Sequence, residues 1–532
     1  MAKNFFDAYL AGETRAFLPW NVRERRDREH VVTRAVGPLA PEVFARIRDQ
    51  NALYGPSTAR AHTLGQLEAG ARVVVTGQQV GLFLGPLYTV YKAATAVRLA
   101  QQLAEETGKA VVPIFWLQTE DHDLPEIATV ALPRADEDPF VIAPEIARDN
   151  RCSIAQLALP AAIGGSIAQL RLELERLPHA QEHLARIARH YRVGHGWSAA
   201  FAHVLAELFE PTGLLILDPR DSVFAQHSAW VHARALERAS DIEAILQAQS
   251  ERLNAAGFAA TVQLRAGSPL SFYHARGPLG PRTRLVQDAG QFVDPRSGER
   301  HTLAALLETL QREPLSFSTS ALLRPILQDA LLPTAAYVGG PAELAYLAQL
   351  TPLYETFGLE PPLAAPRARF RLIEPRAARI LTRRQLTASV VTLSEEQLLA
   401  RITPHDAATP PSAAVFEAEL TRGFDQVLQR AASAWPEAFV RELAPHKHKT
   451  QLKLQTSAHK LAARYAATLL QRDASCVRDV RALRRWLQPQ GAPQERVFGY
   501  SYYAARYGER ALLEQILRAT DPLATSITEL QL

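Results

Sequence analysis

The chain has 532 residues, 47% hydrophobic and 21% charged, and its 59 Lys and Arg against 55 Asp and Glu leave a net charge of +4. That balance predicts a soluble globular protein with a large core and more than one structural unit, and it argues against a strong nucleic-acid or membrane field. Two cysteines, Cys152 and Cys476, exclude a disulfide framework and a thiolate zinc site, and neither lies in a nucleophile motif.

The first residues, MAKNFFDAYLAGETRAFLPW, mix acids with apolar residues and lack the apolar core of a signal peptide. No run approaches the ~20 apolar residues of a membrane span, so the expected location is the cytoplasm. Residues 1–70 carry helical periodicity, as around PEVFARIRDQNALYG. Val73, Val74 and Val75 open a strand over 73–76. Glycines follow at 77, 81 and 85, then a helix over 86–107 that stops at Gly108-Lys109, then a second apolar strand, VVPIFWLQ, over 111–118. Strand, crossover helix and strand make a right-handed βαβ unit. WSAAFAHVLAELFEPTG and LLILDP supply a further helix and strand. TAAYVGG (334–340) and PPLAAPRARFRLI (361–373) supply two more strands around the helix AELAYLAQLTPLYETFG.

This alternation predicts an α/β fold with a parallel-sheet core over 1–390. Residues 135–195, mostly helical, and 258–300, with hairpin turns, are expected to be insertions in it. From about 394 the pattern becomes helical. Phe416, Leu420, Phe424, Val427 and Ala431 step by three and four, and so does a second series from Ala458 through Cys476 to Leu487. Breaks at Trp435-Pro436 and Ala444-Pro445 predict an antiparallel coiled-coil hairpin in an arm over 391–490. The aromatic tail, 491–532, is expected to pack back on the core or the arm. The basic run HKHKTQLK, 446–453, reads as a solvated helix end.

Three stretches carry candidate chemistry. In TGQQVGLFLGPLYTVYK the glycine spacing is neither a Walker A loop nor a dinucleotide fingerprint. A strand, a glycine turn and a helix start remain, and these suit an anion. Thr76, Gly77, Gln78, Gln79, Gly81, Gly85, Tyr88 and Lys92 are its candidate nucleotide- or substrate-binding residues. The plainer alternative is a tight turn with packing glycines. In WLQTEDHDLPEI, Glu120 and Asp121 join that binding set, and His122 and Asp123 are candidate catalytic groups. The options here are a Mg²⁺ site, an amine binder or a carboxylate-tuned general base; the alternative is an Asp123 helix cap. In LRPILQDALLPTAAYVGGPAEL, Arg324 is a candidate for neutralising charge, with Tyr337, Gly339, Gly340 and Glu343 as binding residues. The alternative is a βα turn with a structural Arg324–Asp329 pair.

Together with the closing RVFGYSYYAARYG, these segments resemble the cysteine-ligase family of bacillithiol biosynthesis. The resemblance implies a Rossmann-like core with connecting-peptide insertions, a coiled-coil arm and a homodimer. It implies amide formation between cysteine and the glucosamine amine of glucosaminyl-malate; because a free carboxylate resists amine attack, ATP with Mg²⁺ is the expected activator, and no tightly bound metal is expected. The near-neutral charge predicts no nucleic-acid or membrane partner. The His-x-Gly-His signature and mobile lysine loop of the class I synthetases that the fold resembles are absent. Two other readings stay open at this point, a synthetase-like RNA-binding protein and a non-catalytic dimeric metabolite-binding factor.

Overall fold

Runs of Val, Ile and aromatic residues form the centre of the structure, a computed structural model that describes residues 3–135, 137–146, 152–402, 413–470 and 474–532. Five strands, β1 (Arg72–Gln78), β2 (Val111–Leu117), β3 (Leu215–Leu217), β4 (Thr334–Gly339) and β5 (Leu363–Pro366), make one sheet in the order β5-β4-β1-β2-β3. Every neighbouring pair is parallel. β1 and β2 are buried along their whole length, so neither alternates polar with apolar: both faces of a parallel sheet are covered by helices. Helix α1 (Tyr88–Thr107) makes the crossover between them, and its Ala96, Leu99 and Leu103 join Val73 and Val75 in the main core.

The chain runs from β1 outward to β2 and β3, then returns to β4 beside β1 and goes on to β5. The order therefore reverses at the β1/β4 boundary, the place where open α/β sheets form a crevice beyond their carboxyl ends.

Two compact units emerge. The first is Met1–Leu132, Phe140–Phe370 and Glu495–Thr528, and the second is Pro133–Pro139, Arg371–Gln494 and Glu529–Leu532. Within the first, helices Ile163–Leu174 and Ala180–His190 occupy much of 135–195, but Phe140–Ile142 is a strand paired with Val130–Leu132. Two small three-stranded sheets stand where the hairpins were expected, one of them recruiting Phe317–Thr319 from beyond residue 300. Arg220, just past β3, ties this insertion down by donating to the carbonyls of Pro278 (2.9 Å), Leu315 (2.6 Å) and Phe317 (2.8 Å). The aromatic tail closes on the sheet unit: Gly499 N–H donates to Ala131 O at 2.8 Å and Leu87 N–H to Phe498 O at 2.9 Å.

Three expectations change. The stretch 361–373 is two strands, and only Leu363–Pro366 joins the central sheet; Phe370–Ile373 pairs with Thr528–Gln531. In the second unit, Ala444-Pro445 does not break the arm. Helix Glu437–Leu470 runs through it, packed along Ala413–Ala432. A proline deletes one backbone hydrogen bond, a cost of ~3 kcal/mol that a 34-residue helix absorbs. The second series is also not one helix: Ala474–Leu487 is separate, with 471–473 outside the described residues, and Cys476 and Val480 pack on Val390, Leu398 and Ile402. The basic run His446–Lys449 is exposed on its helix. No helix among the described residues is long and apolar enough to cross a membrane.

Candidate functional site

The carboxyl ends of β1, β2, β4 and β5 open into a cavity of about 470 Å³ at the point of strand-order reversal. Its floor is a buried ion pair. Lys92, on the second turn of α1, places Nζ 2.5 Å from Glu343 Oε2 and donates to Gly77 O (2.8 Å) and Gln78 Oε1 (2.9 Å), so its three protons each meet an acceptor. Glu343 sits in the first turn of helix α4 (Pro341–Leu350), where it also accepts the Gly340 N–H at 2.8 Å and the Tyr337 hydroxyl at 2.7 Å. Burial pulls the Lys92 ammonium down despite Glu343. Burial pushes the Glu343 carboxyl up, but Lys92, Gly340 and Tyr337 outweigh it and keep it ionised.

Beside this pair stands Arg324, the first residue of helix α3 (Arg324–Leu331), also buried. Its guanidinium donates to Tyr346 Oη (2.9 Å), Tyr337 Oη (3.2 Å) and Gln328 Oε1 (3.1 Å) and lies 5.2 Å from the Tyr337 ring centre. Burial opposes its charge, but Tyr337, Tyr346 and Glu343 outweigh burial and hold it protonated. All its bonded partners are neutral, although it faces the cavity.

The opposite wall is built after β2. Asp121 accepts from Gln79 Nε2 at 2.6 Å, from the His122 N–H at 2.7 Å and from Arg282 at 3.3 Å. Burial pushes its carboxyl up, but His122, Arg282 and Gln79 together hold it well below the carboxylate range. Arg282, a permanent donor, also contacts Nδ1 of His122, which lies 3.3 Å from Asp121 Oδ1, so the three side chains form one cluster. Glu120 turns to Thr319, accepting from its N–H at 3.2 Å and its hydroxyl at 2.5 Å. Glu126 is different: burial, with Asp123 and Asp121 nearby, pushes its carboxyl up. Tyr88 lines the cavity too, accepting from Gln78 Nε2 at 3.3 Å, and burial pushes its hydroxyl up to about 12.

The structure thus gathers Gln78, Gln79, Tyr88, Lys92, Glu120, Asp121, His122, Arg324, Gly340 and Glu343 around one cavity. It leaves out others. Thr76 is buried between strands, bonded to Val338 O at 2.9 Å. Gly77 lies within β1, and Gly339 packs behind Glu343, with Tyr337 supporting Arg324 from outside the wall. Asp123 is an exposed cap on the Glu126 N–H. The glycine turn is also not a phosphate cradle. A Cβ on Gly81 would lie 2.8 Å from Gly85 Cα, Gly85 itself has φ +65°, and Val80–Leu84 are wholly buried. Phe83 N–H donates to Tyr191 Oη at 3.0 Å and Trp197 Nε1 to Val80 O at 2.7 Å, which locks the turn into the interior. These glycines permit backbone contact, the plainer of the two readings.

Gly81→Ala is therefore expected to destabilise the fold by about 1–3 kcal/mol, because overpacking meets backbone that cannot yield; urea unfolding measures it, and an unchanged midpoint would contradict the packing role. Asp121→Asn tests the opposite wall. A carboxyl held below its unfolded pKa of about 3.9 contributes stability above that pH and loses it on acidification. The variant is expected to unfold more easily than wild type at pH 7, and the gap is expected to begin narrowing only as the pH falls below about 4 and to persist in part at pH 3, because the folded carboxyl is still ionised there, as followed by urea midpoints across pH.

Glu126, Tyr346, Arg282, Arg284, Arg367 and Arg496 line the cavity without having been singled out from sequence. Arg367, at the end of β5, pairs with Glu495 at 2.5 Å, and Arg496 follows in the returning tail. An Arg directly after a strand of the sheet was the one available signal.

Two family models match the chain: "Bacillithiol biosynthesis BshC, N-terminal Rossmann-like domain" over residues 4–368, and "Bacillithiol biosynthesis BshC, C-terminal coiled-coil domain" over 370–531. Among curated relatives named "Putative cysteine ligase BshC", that of Solibacter usitatus is 31% identical, covering 83% of this chain and 81% of the relative. That of Chlorobaculum tepidum is 32% identical, covering 93% and 91%, and that of Prosthecochloris aestuarii is 31% identical, covering 97% and 95%.

Proposed function

The chain belongs to the bacillithiol biosynthesis BshC family, and on that premise we propose that it is a cysteine ligase, joining the cysteine carboxyl group to the amine of glucosaminyl-malate. The proposed setting is the cytoplasm, with the chain as a homodimer. The family match lends no support to an RNA-binding or assembly-factor reading.

A free carboxylate resists amine attack and needs activation. ATP, when bound, would supply a phosphoryl or adenylyl group that makes the cysteine carbonyl electrophilic, and Mg²⁺ would enter with its phosphates. The wall suits such a polyanion. Lys92, Arg282, Arg284, Arg324, Arg367 and Arg496 line the cavity together with Glu120, Asp121, Glu126 and Glu343. Lys92 and Arg367 are already paired with carboxylates, and Arg282 with Asp121. The observation that carries the reading is Arg324: a buried guanidinium at a cavity wall, hydrogen-bonded only to neutral groups while nearby Glu343 is ion-paired to Lys92, so that its charge favours an anion there.

On this reading Arg324 stabilises negative charge developing on the reacting group, and Glu126 takes the proton from the attacking amine. His122 bridges Arg282 toward Asp121 and positions them, while Glu126, in no ion pair among the described residues, is left to act as the base. Asp123 acts only as the cap that sets Glu126. Gln78, Gln79, Tyr88 and Gly340 orient the substrates. Titration calorimetry with Mg-ATP tests the anion site. Saturable binding that weakens at least tenfold in Arg324→Met is expected, and equal binding by both proteins would contradict it.

A further inference from the structure

A second cavity, of about 320 Å³, opens where helix Ala180–His190 turns into helix α2 (Trp197–Leu208), away from the strand ends. Its described wall carries Arg189, His190, Arg192, His195 and His203 and no acidic side chain. The nearby acids are already engaged. Glu207 accepts from His190 Nε2 at 2.7 Å and lies 3.3 Å from both Arg189 and Arg186, and Arg186 reaches Glu509 at 2.8 Å. Arg192 and His195 have no side-chain partner among the described residues.

The imidazoles of His190 and His203 stack face to face, with ring centres 4.9 Å apart and planes 9° from parallel, and the Tyr54 ring meets His203 edge-on at 5.1 Å. Two protonated rings so placed repel each other. Burial and the His190 charge hold the His203 imidazole below its ordinary range, against the pull of Glu207. A metal ion is disfavoured, since Glu207 occupies Nε2 of His190 and no group of three or more His, Cys, Asp or Glu among the described residues suits one. Guanidinium donors beside imidazoles instead match the several acceptor oxygens of a phosphate group.

We propose that this cluster of Arg189, Arg192, His190, His195 and His203 is an anion site for a phosphate group, separate from the cavity at the strand ends. The proposal stands apart from the ligase reading. Its test is calorimetric titration of the full chain with inorganic phosphate, in three proteins: wild type, Arg192→Ala/His195→Ala, and Arg324→Met. Arg192 and His195 are exposed, so the double variant keeps its core. Expected is saturable phosphate binding in wild type, weakened at least tenfold in the double variant and kept in Arg324→Met. Absence of binding to wild type would overturn the proposal, as would equal affinity in the double variant, or loss only in Arg324→Met, which would assign the heat to the main cavity. A parallel titration with glycerol phosphate names the source: competition with inorganic phosphate indicates a phosphorylated metabolite, and no competition indicates the free ion.

Discussion

Arg324→Met is expected to lower ligase kcat/KM by about 10²–10³-fold while the protein stays folded. The guanidinium is buried with three neutral partners, so its removal strands no carboxylate. Glu343 keeps Lys92, Gly340 and Tyr337. Methionine matches the length and tolerates the irregular space. What disappears is a buried positive charge at the cavity wall, where the low local dielectric strengthens its action on a developing anion. Arg324→Lys is expected to restore only part of the rate, because a point charge cannot span Tyr337, Tyr346 and Gln328 at once. Steady-state kinetics with product quantified by mass spectrometry, beside a thermal melt, measures both quantities. Near-wild-type turnover in a folded Arg324→Met protein would remove the basis of the anion reading.

Glu126→Gln is expected to lower kcat/KM by about 10²-fold, the scale of a lost general base. The sign of the pH dependence follows from the direction of its shift. Burial, Asp123 and Asp121 push the carboxyl up, and the base works only when ionised. Wild-type kcat/KM therefore rises with pH as Glu126 deprotonates, above the pH at which an ordinary Glu would, and the variant loses that acidic limb. Stability moves the other way. A carboxyl raised by folding costs stability once ionised, so Glu126→Gln is not expected to unfold more easily at pH 7. A variant that retained the wild-type acidic limb would assign the proton transfer elsewhere.

The centre of the fold was legible because it is local. Val73–Val75, the helix from Tyr88 and the apolar run from Val111 carry their periods in adjacent residues, and their parallel pairing follows from the crossover. Lys92 and Glu343 were visible because each lies in the helix that follows such a strand, and Arg324 because it opens the short helix just before one. Glu126, Arg282, Arg367 and Arg496 were not. They reach the cavity from a loop helix, an insertion, the edge strand and the tail, and no spacing encodes an approach made across several hundred residues. Gly81 and Gly85 show a different limit. Close backbone approach to a phosphate and close approach to another glycine require the same residue, and only the packing distinguishes them. Pro445 shows a third, since the breaking power of one proline depends on how much helix lies on either side.

The proposed reaction joins cysteine to glucosaminyl-malate in the cavity at the β1/β4 reversal. Purified protein incubated with both substrates and Mg-ATP, with products followed by mass spectrometry and nucleotides quantified, tests it most directly. The expected product is the cysteine amide of glucosaminyl-malate, with one ATP consumed per amide formed; AMP would indicate adenylyl and ADP phosphoryl activation. Bound substrates with neither amide nor ATP consumption would contradict it.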